Sequence, residues 1–222
     1  MNNVLIETQD GSHSLLSGAF GVSYHSRYGA IQESAHVFIK AGLHTKAIHS
    51  KQLRILETGF GTGLNAYLTL LEAQRLHLDV YFESFEAYPV SMEEAAALNY
   101  PAILEAGVSP TLFMDLHKAQ FGEKTLITKE FHLLKQMLDF NEIQHAGSFD
   151  LVYFDAFAPD EQPELWEQPM LRKVYDALNT GGILVTYCAK GYVKRNFKAV
   201  GFQVEALPGP PGKREMTRCI KV

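Results

Sequence analysis

From residue 53 onward, apolar runs of strand length alternate with stretches whose apolar residues recur at helical spacing. Leu53-Arg54-Ile55-Leu56-Glu57 is a short apolar run that stops at a glycine cluster; Leu64, Tyr67, Leu68 and Leu71 then recur every three or four residues on the way to Leu76. Val80 to Glu86 predicts a second strand. Beyond Pro89, Ser91 and Glu94 stand three apart, the spacing of a capping box that opens a helix. Phe131 to Leu134 is a candidate third strand and Phe149 to Phe154 a fourth. Leu165 to Leu178 reads as the next crossover helix, closed by Asn179-Thr180-Gly181-Gly182, and Ile183 to Tyr187 as the fifth strand. After a helix near Gly191 to Val200, two further strands, Phe202 to Leu207 and Met216 to Val222, flank the loop Pro208 to Glu215.

Repeated strand-then-helix order calls for a mostly parallel sheet with helices on both faces, because a parallel crossover needs a dozen or more residues to return. A terminal antiparallel hairpin on such a sheet resembles the Rossmann-like methyltransferase fold more than a dehydrogenase. Residues 1–50 read differently, as short strand-like and polar pieces around Ser23-Tyr24-His25-Ser26, with Ser34 to Ile39 a candidate helix start. The expectation is one α/β domain: an N-terminal elaboration over 1–50 packed on a methyltransferase-type unit over 51–222.

Composition narrows the class. With 222 residues, 46% hydrophobic and 20% charged, one fold can bury roughly 70–75% of the surface its unfolded chain exposes. Net charge of −5 argues against a generally basic, nucleic-acid-coating surface. Cys188 and Cys219 are too few for a disulfide scaffold or a paired zinc site, and His13, His36 and His132 show no metal spacing, so no metal is expected. The opening Met1-Asn2-Asn3-Val4 has no basic or long apolar leader, which predicts a cytoplasmic chain that does not span a membrane.

The chemistry concentrates at strand ends. Glu57-Thr58-Gly59-Phe60-Gly61-Thr62-Gly63 lies between the first strand and first helix, where glycines let the backbone turn sharply and approach a ligand. A dinucleotide fingerprint needs glycine where Leu64 stands, so the loop resembles that of an S-adenosyl-L-methionine (SAM) site instead. Glu86, 23 residues after Gly63 and ending the second strand, is placed to accept hydrogen bonds from ribose hydroxyls. Asp155-Ala156-Phe157-Ala158-Pro159 follows a central strand; an acid, an aromatic and a proline there resemble the loop with which amino-group methyltransferases hold a nitrogen nucleophile.

Tyr24-His25-Ser26, Glu33-Ser34, His36-Val37-Phe38, Glu57 through Asn65, Ser84 through Pro89, Phe154 through Pro159, Pro163 through Trp166, and Gly212 through Met216 occur together in this order. This set resembles the tRNA 5-methylaminomethyl-2-thiouridine methyltransferase family, the methyltransferase half of the bifunctional MnmC enzymes and their stand-alone MnmD-type counterparts, over about residues 20–220. The resemblance implies the methyltransferase part alone, a SAM cofactor, a tRNA substrate and a separate enzyme that supplies the aminomethyl precursor. It implies cofactor contacts from Glu33, Glu57, Gly59, Phe60, Gly61, Gly63, Asn65, Glu86, Ala87 and Asp155. Asp155 is the expected catalytic group, with Tyr24 and Phe157 lining the base pocket beside it. The segment Phe131 to Met137 departs from many relatives in having no acid to meet adenine, which leaves Gln136 or a backbone group for that contact.

Seven of the twenty basic residues, Lys190, Lys194, Arg195, Lys198, Lys213, Arg214 and Arg218, fall late in the chain. Lys190, Lys194, Arg195, Lys213 and Arg214 are the candidates for tRNA phosphate; the alternative is ordinary solvated charge. The leading expectation is SAM-dependent N-methylation of an aminomethyl group on a tRNA wobble uridine. The rivals are a small-molecule amine N-methyltransferase, which suits the acidic charge, and a non-catalytic SAM- or nucleotide-binding module.

Overall fold

The computed structural model describes residues 3–104, 111–137 and 145–222. Eight strands form the main sheet: β3 (Gln52–Thr58), β4 (Asp79–Phe85), β5 (Lys124–Thr128), β6 (Phe131–Gln136), β7 (Phe149–Phe154), β8 (Leu178–Thr186), β9 (Phe202–Pro208) and β10 (Glu215–Lys221). Their order is β5-β6-β4-β3-β7-β8-β10-β9. The middle five, β6 to β8, are parallel; β5 on one edge and the β10–β9 hairpin on the other are antiparallel. This is the Rossmann-like methyltransferase arrangement. A separate hairpin, β1 (Val4–Glu7) with β2 (His13–Leu16), precedes it.

Parallel strands covered on both faces need apolar side chains in both directions, and Leu151 to Phe154 of β7 are all fully buried. One face carries α3 (Leu64–Leu76) and a continuous helical run formed by α1 (Ala30–Ser34), a wide π-type stretch (Ala35–Leu43) and α2 (His44–Ala47). Among the described residues, three short helices lie between β4 and β5: α4 (Met92–Ala97), α5 (Tyr100–Leu104) and α6 (Thr111–Lys118). The other face carries α7 (Gln168–Ala177) and α8 (Gly191–Ala199), packed around Trp166, Leu171, Val174 and Phe197.

Several sequence expectations change here. The N-terminal helix starts at Ala30, ahead of Ser34. Val37, Phe38, Ile39 and Leu43 share one apolar cluster with Leu53, Ile55, Leu151 and Val185. Gly42 allows this approach, since a Cβ there would lie 3.0 Å from Val185 and 3.3 Å from Leu151 and Tyr153. The helix read from Leu165 starts at Gln168, because Glu167 is extended and Pro169 fits only a first turn; Pro163–Trp166 is a separate 3-10 turn. Asn179-Thr180-Gly181-Gly182 does not cap that helix. It lies inside β8, where pairing with β7 shifts between Phe149 and Leu151 and Gly181 takes φ 76°. Edge strand β5 had no counterpart in the sequence reading. The Ser91–Glu94 capping box is present, with each residue bonding the other's backbone N–H at the start of α4.

Candidate active site

The chain leaves β3 toward β4 and β6, then returns on the opposite side as β7 and β8. Order therefore reverses between β3 and β7, and the carboxyl ends of these strands splay around a crevice. A cleft of about 330 Å³ fills it, at the small end of the range for ligand pockets. Its floor is the glycine loop between β3 and α3. Gly61 has φ 49°, and a Cβ on it would stand 3.1 Å from the Tyr24 ring; Gly63 has φ 73°, with His117 Nε2 only 2.8 Å from where a Cβ would be. Neither position tolerates a side chain without displacing a neighbour.

Thr62, between these glycines, is held from three elements. His25 Nε2 lies 2.8 Å from its hydroxyl and the Tyr100 hydroxyl donates to the same oxygen at 3.3 Å, while His117 Nε2 lies 3.1 Å from its carbonyl. Burial pushes both histidines down to about 4, so both rings are neutral near pH 7. Behind them the buried Lys135 ammonium donates to the His117 carbonyl at 2.7 Å and lies over the Phe60 and Phe121 rings. Phe60 thus spends its ring on the underside of the loop.

Five acidic residues line the cleft, Glu33, Glu86, Asp155, Glu161 and Glu164, and three of them are fixed by hydrogen bonds within it. Glu86, just past β4, accepts from the N–H of Gly61 at 2.8 Å and of Tyr88 at 2.7 Å, and burial raises its pKa. Asp155, just past β7, donates its own N–H to Thr58 Oγ1 at 3.1 Å and accepts from Asn65 Nδ2 at 2.8 Å. Burial pushes its carboxyl up to about 7, against the opposing effect of the Asn65 bond. Glu33, on α1, accepts from the Ser26 N–H at 2.9 Å and from Lys213 Nζ at 2.6 Å. Lys213 also lies 4.0 Å from the centroid of the Tyr187 ring, whose hydroxyl donates to the Ala156 carbonyl at 2.9 Å.

The mouth is aromatic. Phe157 meets Phe20 at 4.7 Å and Tyr24 at 5.1 Å between ring centroids, and Phe20 meets Tyr88 at 5.7 Å. The backbone of Phe157 is fixed by Gln162, which accepts its N–H, and by the Trp166 indole, which donates to its carbonyl. Flat rings flanking two carboxylates give a place where a planar base and an attached cation fit together.

Of the residues expected from sequence, Gly59, Phe60, Gly61, Asn65, Glu86 and Ala87 line the cleft on the glycine-loop side. Tyr24, Glu33, Asp155, Phe157 and Lys213 line it opposite. Glu57 does not: its side chain is fully enclosed behind the loop, where it accepts from Ser84 Oγ at 2.6 Å. Gly63 shapes the loop without facing the cleft, and Gln136 turns its side chain to Glu83. Lys213 was expected on an outer phosphate-binding face and instead sits inside, neutralised by Glu33. Lys190 pairs with Asp160 and Lys194 with Glu215, both outside the cleft; Arg195 and Arg214 make no ion pair among the described residues. His25, Phe20, Gln162 and Tyr187 line or frame the cleft and were not singled out from sequence, although Tyr187, directly after a parallel strand, had the position that marks Asp155.

Residues 116–222 match a family described as S-adenosyl-L-methionine-dependent methyltransferase. The tRNA 5-methylaminomethyl-2-thiouridine biosynthesis bifunctional protein MnmC of Aromatoleum aromaticum is 32% identical over 228 residues, 95% of this chain and 34% of that protein. Its counterpart from Cupriavidus necator is 33% identical over 208 residues, 87% of this chain and 31% of that protein. The chain therefore spans about a third of the length of these curated relatives. The crystal structure of MNMC2 from Aquifex aeolicus superposes with a TM-score of 0.81 at 26% identity, covering 99% of this chain and 70% of that one. Spermidine synthase from Thermotoga maritima shares the fold, with a TM-score of 0.58 at 13% identity over 100% of this chain and 73% of that one.

Proposed function

This chain belongs to the S-adenosyl-L-methionine-dependent methyltransferases related to MnmC, and from that membership we propose that it methylates the primary amine of a 5-aminomethyl-uridine, 2-thiolated or not, at a tRNA wobble position. The observation that carries the reading is Asp155: a carboxylate at the end of a central strand, aligned by Asn65 and half-buried beside aromatic rings. An aliphatic amine is mostly protonated near neutral pH and has no free lone pair in that form. A carboxyl held at about 7 binds the ammonium and takes its proton at the pH where the amine must attack.

The cofactor side fits its ligand. Glycines at 59 and 61 leave the loop bare on the cleft side, and the Glu86 carboxylate is fixed there by two backbone N–H groups, as an acceptor for a vicinal diol. SAM, when bound, supplies an electrophilic methyl group on a sulfonium. The chain's own part is to position and desolvate. Phe20, Tyr24, Tyr88 and Phe157 exclude water and offer ring faces to a base. Glu33 keeps Lys213 beside Tyr187, so that this cleft-lining ammonium is neutralised and the amine's charge falls to Asp155.

A tRNA substrate places the protein in the cytoplasm and downstream of an enzyme that exposes the primary amine; no helix among the described residues is long and apolar enough to cross a membrane. The deciding experiment is methyl transfer from labelled SAM to tRNA from a strain lacking this modification, followed by nucleoside mass analysis. Gain of one methyl on the aminomethyl nucleoside supports the reading. No transfer to tRNA, with transfer to a free diamine or polyamine, favours the second reading. That reading draws on Lys190, Lys194 and Lys213 each being paired with a carboxylate, which leaves little basic surface for phosphate.

A further inference from the structure

Two buried oxygens behind the glycine loop lack partners among the described residues: Glu57 Oε1 and Asn65 Oδ1. They belong to hydrogen-bond neighbours, one at the end of β3 and the other at the start of α3. A buried acceptor with no donor is unfavourable, and a single proton on Glu57 would let it donate to its neighbour Asn65 in one O–H···O bond. We propose that Glu57 is a neutral carboxylic acid that donates to Asn65, and that the row Glu57–Asn65–Asp155 carries one proton at rest, leaving Asp155 ionised and oriented toward the acceptor amine.

Amide geometry supports that count. Asn65 has one end that accepts and one that donates, so between two carboxyls it is fully satisfied only when one of them is protonated. Its Nδ2 donates to Asp155 Oδ2 at 2.8 Å, which leaves Oδ1 for Glu57. The other Glu57 oxygen already accepts from Ser84 Oγ at 2.6 Å. Relative exposure is 0% for Glu57 and 3% for Asn65, and the charges that reach Glu57 are the carboxylates Asp155 and Glu86, so burial and like charge both place the proton there. Asp155 is faced by Asn65 from α3, Glu33 from α1, Lys213 from the β9–β10 loop and Tyr187 from the end of β8, with the Lys213 charge favouring its ionised form and that of Glu33 opposing it. A half-turn of the Asn65 amide would move the resting proton to Asp155, so holding Glu57 protonated is what keeps Asp155 ready to accept one. Glu57 is thereby a positioning residue that acts through Asn65.

The proton count stands on the row itself; its catalytic consequence rests on the reading of Asp155 as the amine's partner. Infrared difference spectra of wild type against Glu57→Gln, without cofactor or acceptor, test the first. A carboxylic-acid carbonyl band that shifts in D2O is expected in the wild type at pH 8 to 9, above the range in which Asp155 itself holds a proton, and is lost in the variant. In methyl transfer, Glu57→Gln supplies a permanent N–H to Asn65 Oδ1 and stays within about threefold of wild type, while Glu57→Ala and Asn65→Leu lose about tenfold or more. Asn65→Leu also moves the acid limb of the pH profile upward, since Asp155 loses the donor that favours its ionised form. A spectrum with no such band, or a Glu57→Gln protein that folds but loses SAM binding, would overturn the proposal by making Glu57 an ionised cofactor ligand. Should Glu57→Ala fail to fold, the spectrum and the Gln variant decide. Wild-type protein inert toward tRNA would sink the substrate reading while the infrared and SAM-binding results still judge the proton.

Discussion

Asp155→Asn is expected to make the protein more stable and less active, with opposite consequences of the same charge. An acid that titrates at 3.8 in the open and at about 7 in the fold binds its proton more tightly when folded. Between those two values the folded state holds more protons than the unfolded one, so stability falls as pH rises, and the full cost stands above pH 7. The difference in pKa corresponds to about 4 kcal/mol. Asp155 is only half-buried, which lets water on the cleft side recover part of this, so about 2–4 kcal/mol is the expected gain for Asn at pH 8, falling to nearly nothing below pH 4. Asn at 155 retains an oxygen to accept from Asn65, so the gain is not offset by an orphaned donor. Urea titrations of both proteins at pH 4, 6 and 8 measure it, and thermal unfolding at pH 8 gains about 5–12 °C. Methyl transfer falls by about 10²-fold or more with SAM affinity unchanged, and part of the loss returns at higher pH, where solvent deprotonates the amine. Equal stabilities at pH 8, or an increment that does not change with pH, would refute the electrostatic argument. Wild-type transfer rates near neutral pH would remove Asp155 from the chemistry.

Gly61→Val forces a branched side chain into φ 49° and against the Tyr24 ring, so calorimetry should find SAM binding weakened by about 10²-fold or abolished in a folded protein; unchanged affinity would contradict the placement of the loop. Arg195→Ala and Arg214→Ala should each weaken tRNA binding and lower its salt slope by about 1 without touching SAM, as measured by filter binding across salt concentrations. Lys213→Ala should leave that slope alone and change kcat/KM for the acceptor, because its charge lies in the cleft against Glu33; a reduced slope would return it to the phosphate face. Burial holds the Lys135 ammonium down to about 8, so the unfolded chain binds the proton more tightly between pH 8 and 10.5 and stability rises across that window. The stability of Lys135→Met relative to wild type should therefore drop by about 3 kcal/mol between pH 7 and pH 10.5, and a pH-independent difference would show that Lys135 is not desolvated.

What could be read from the sequence was what local chemistry decides. Leu151 to Phe154 and Ile183 to Val185 read as strands because both faces of a covered parallel strand must be apolar. Ser91 and Glu94 read as a helix start because the capping box closes within four residues. β5 escaped because a half-exposed edge strand, Lys-Thr-Leu-Ile-Thr, has no continuous apolar run. Asn179 to Gly182 was misassigned because glycine at positive φ serves a helix end and a strand bulge equally well, and only the pairing of β7 with β8 distinguishes them.

The site divides along the same line. Gly59, Gly61, Glu86 and Asp155 follow directly from strand ends, so their strings mark them. Lys213 reads as a phosphate ligand because it stands in a late basic cluster; the acid that holds it at the cleft, Glu33, is 180 residues away in the chain. Glu57 reads as a cofactor contact because it abuts the glycines, yet its carboxyl is enclosed behind the loop against Ser84. This matters for function. Charge counting along the late basic cluster finds five candidate phosphate ligands, whereas the folded chain has already paired Lys190, Lys194 and Lys213 with carboxylates. A tRNA bound as proposed would therefore either displace acids from those lysines or rely on Arg195, Arg214 and recognition of a splayed base among Phe20, Tyr24, Tyr88 and Phe157. With an overall charge of −5 the second course is the less costly, and it predicts an enzyme that selects its acceptor more by the base and its amine than by the phosphate backbone.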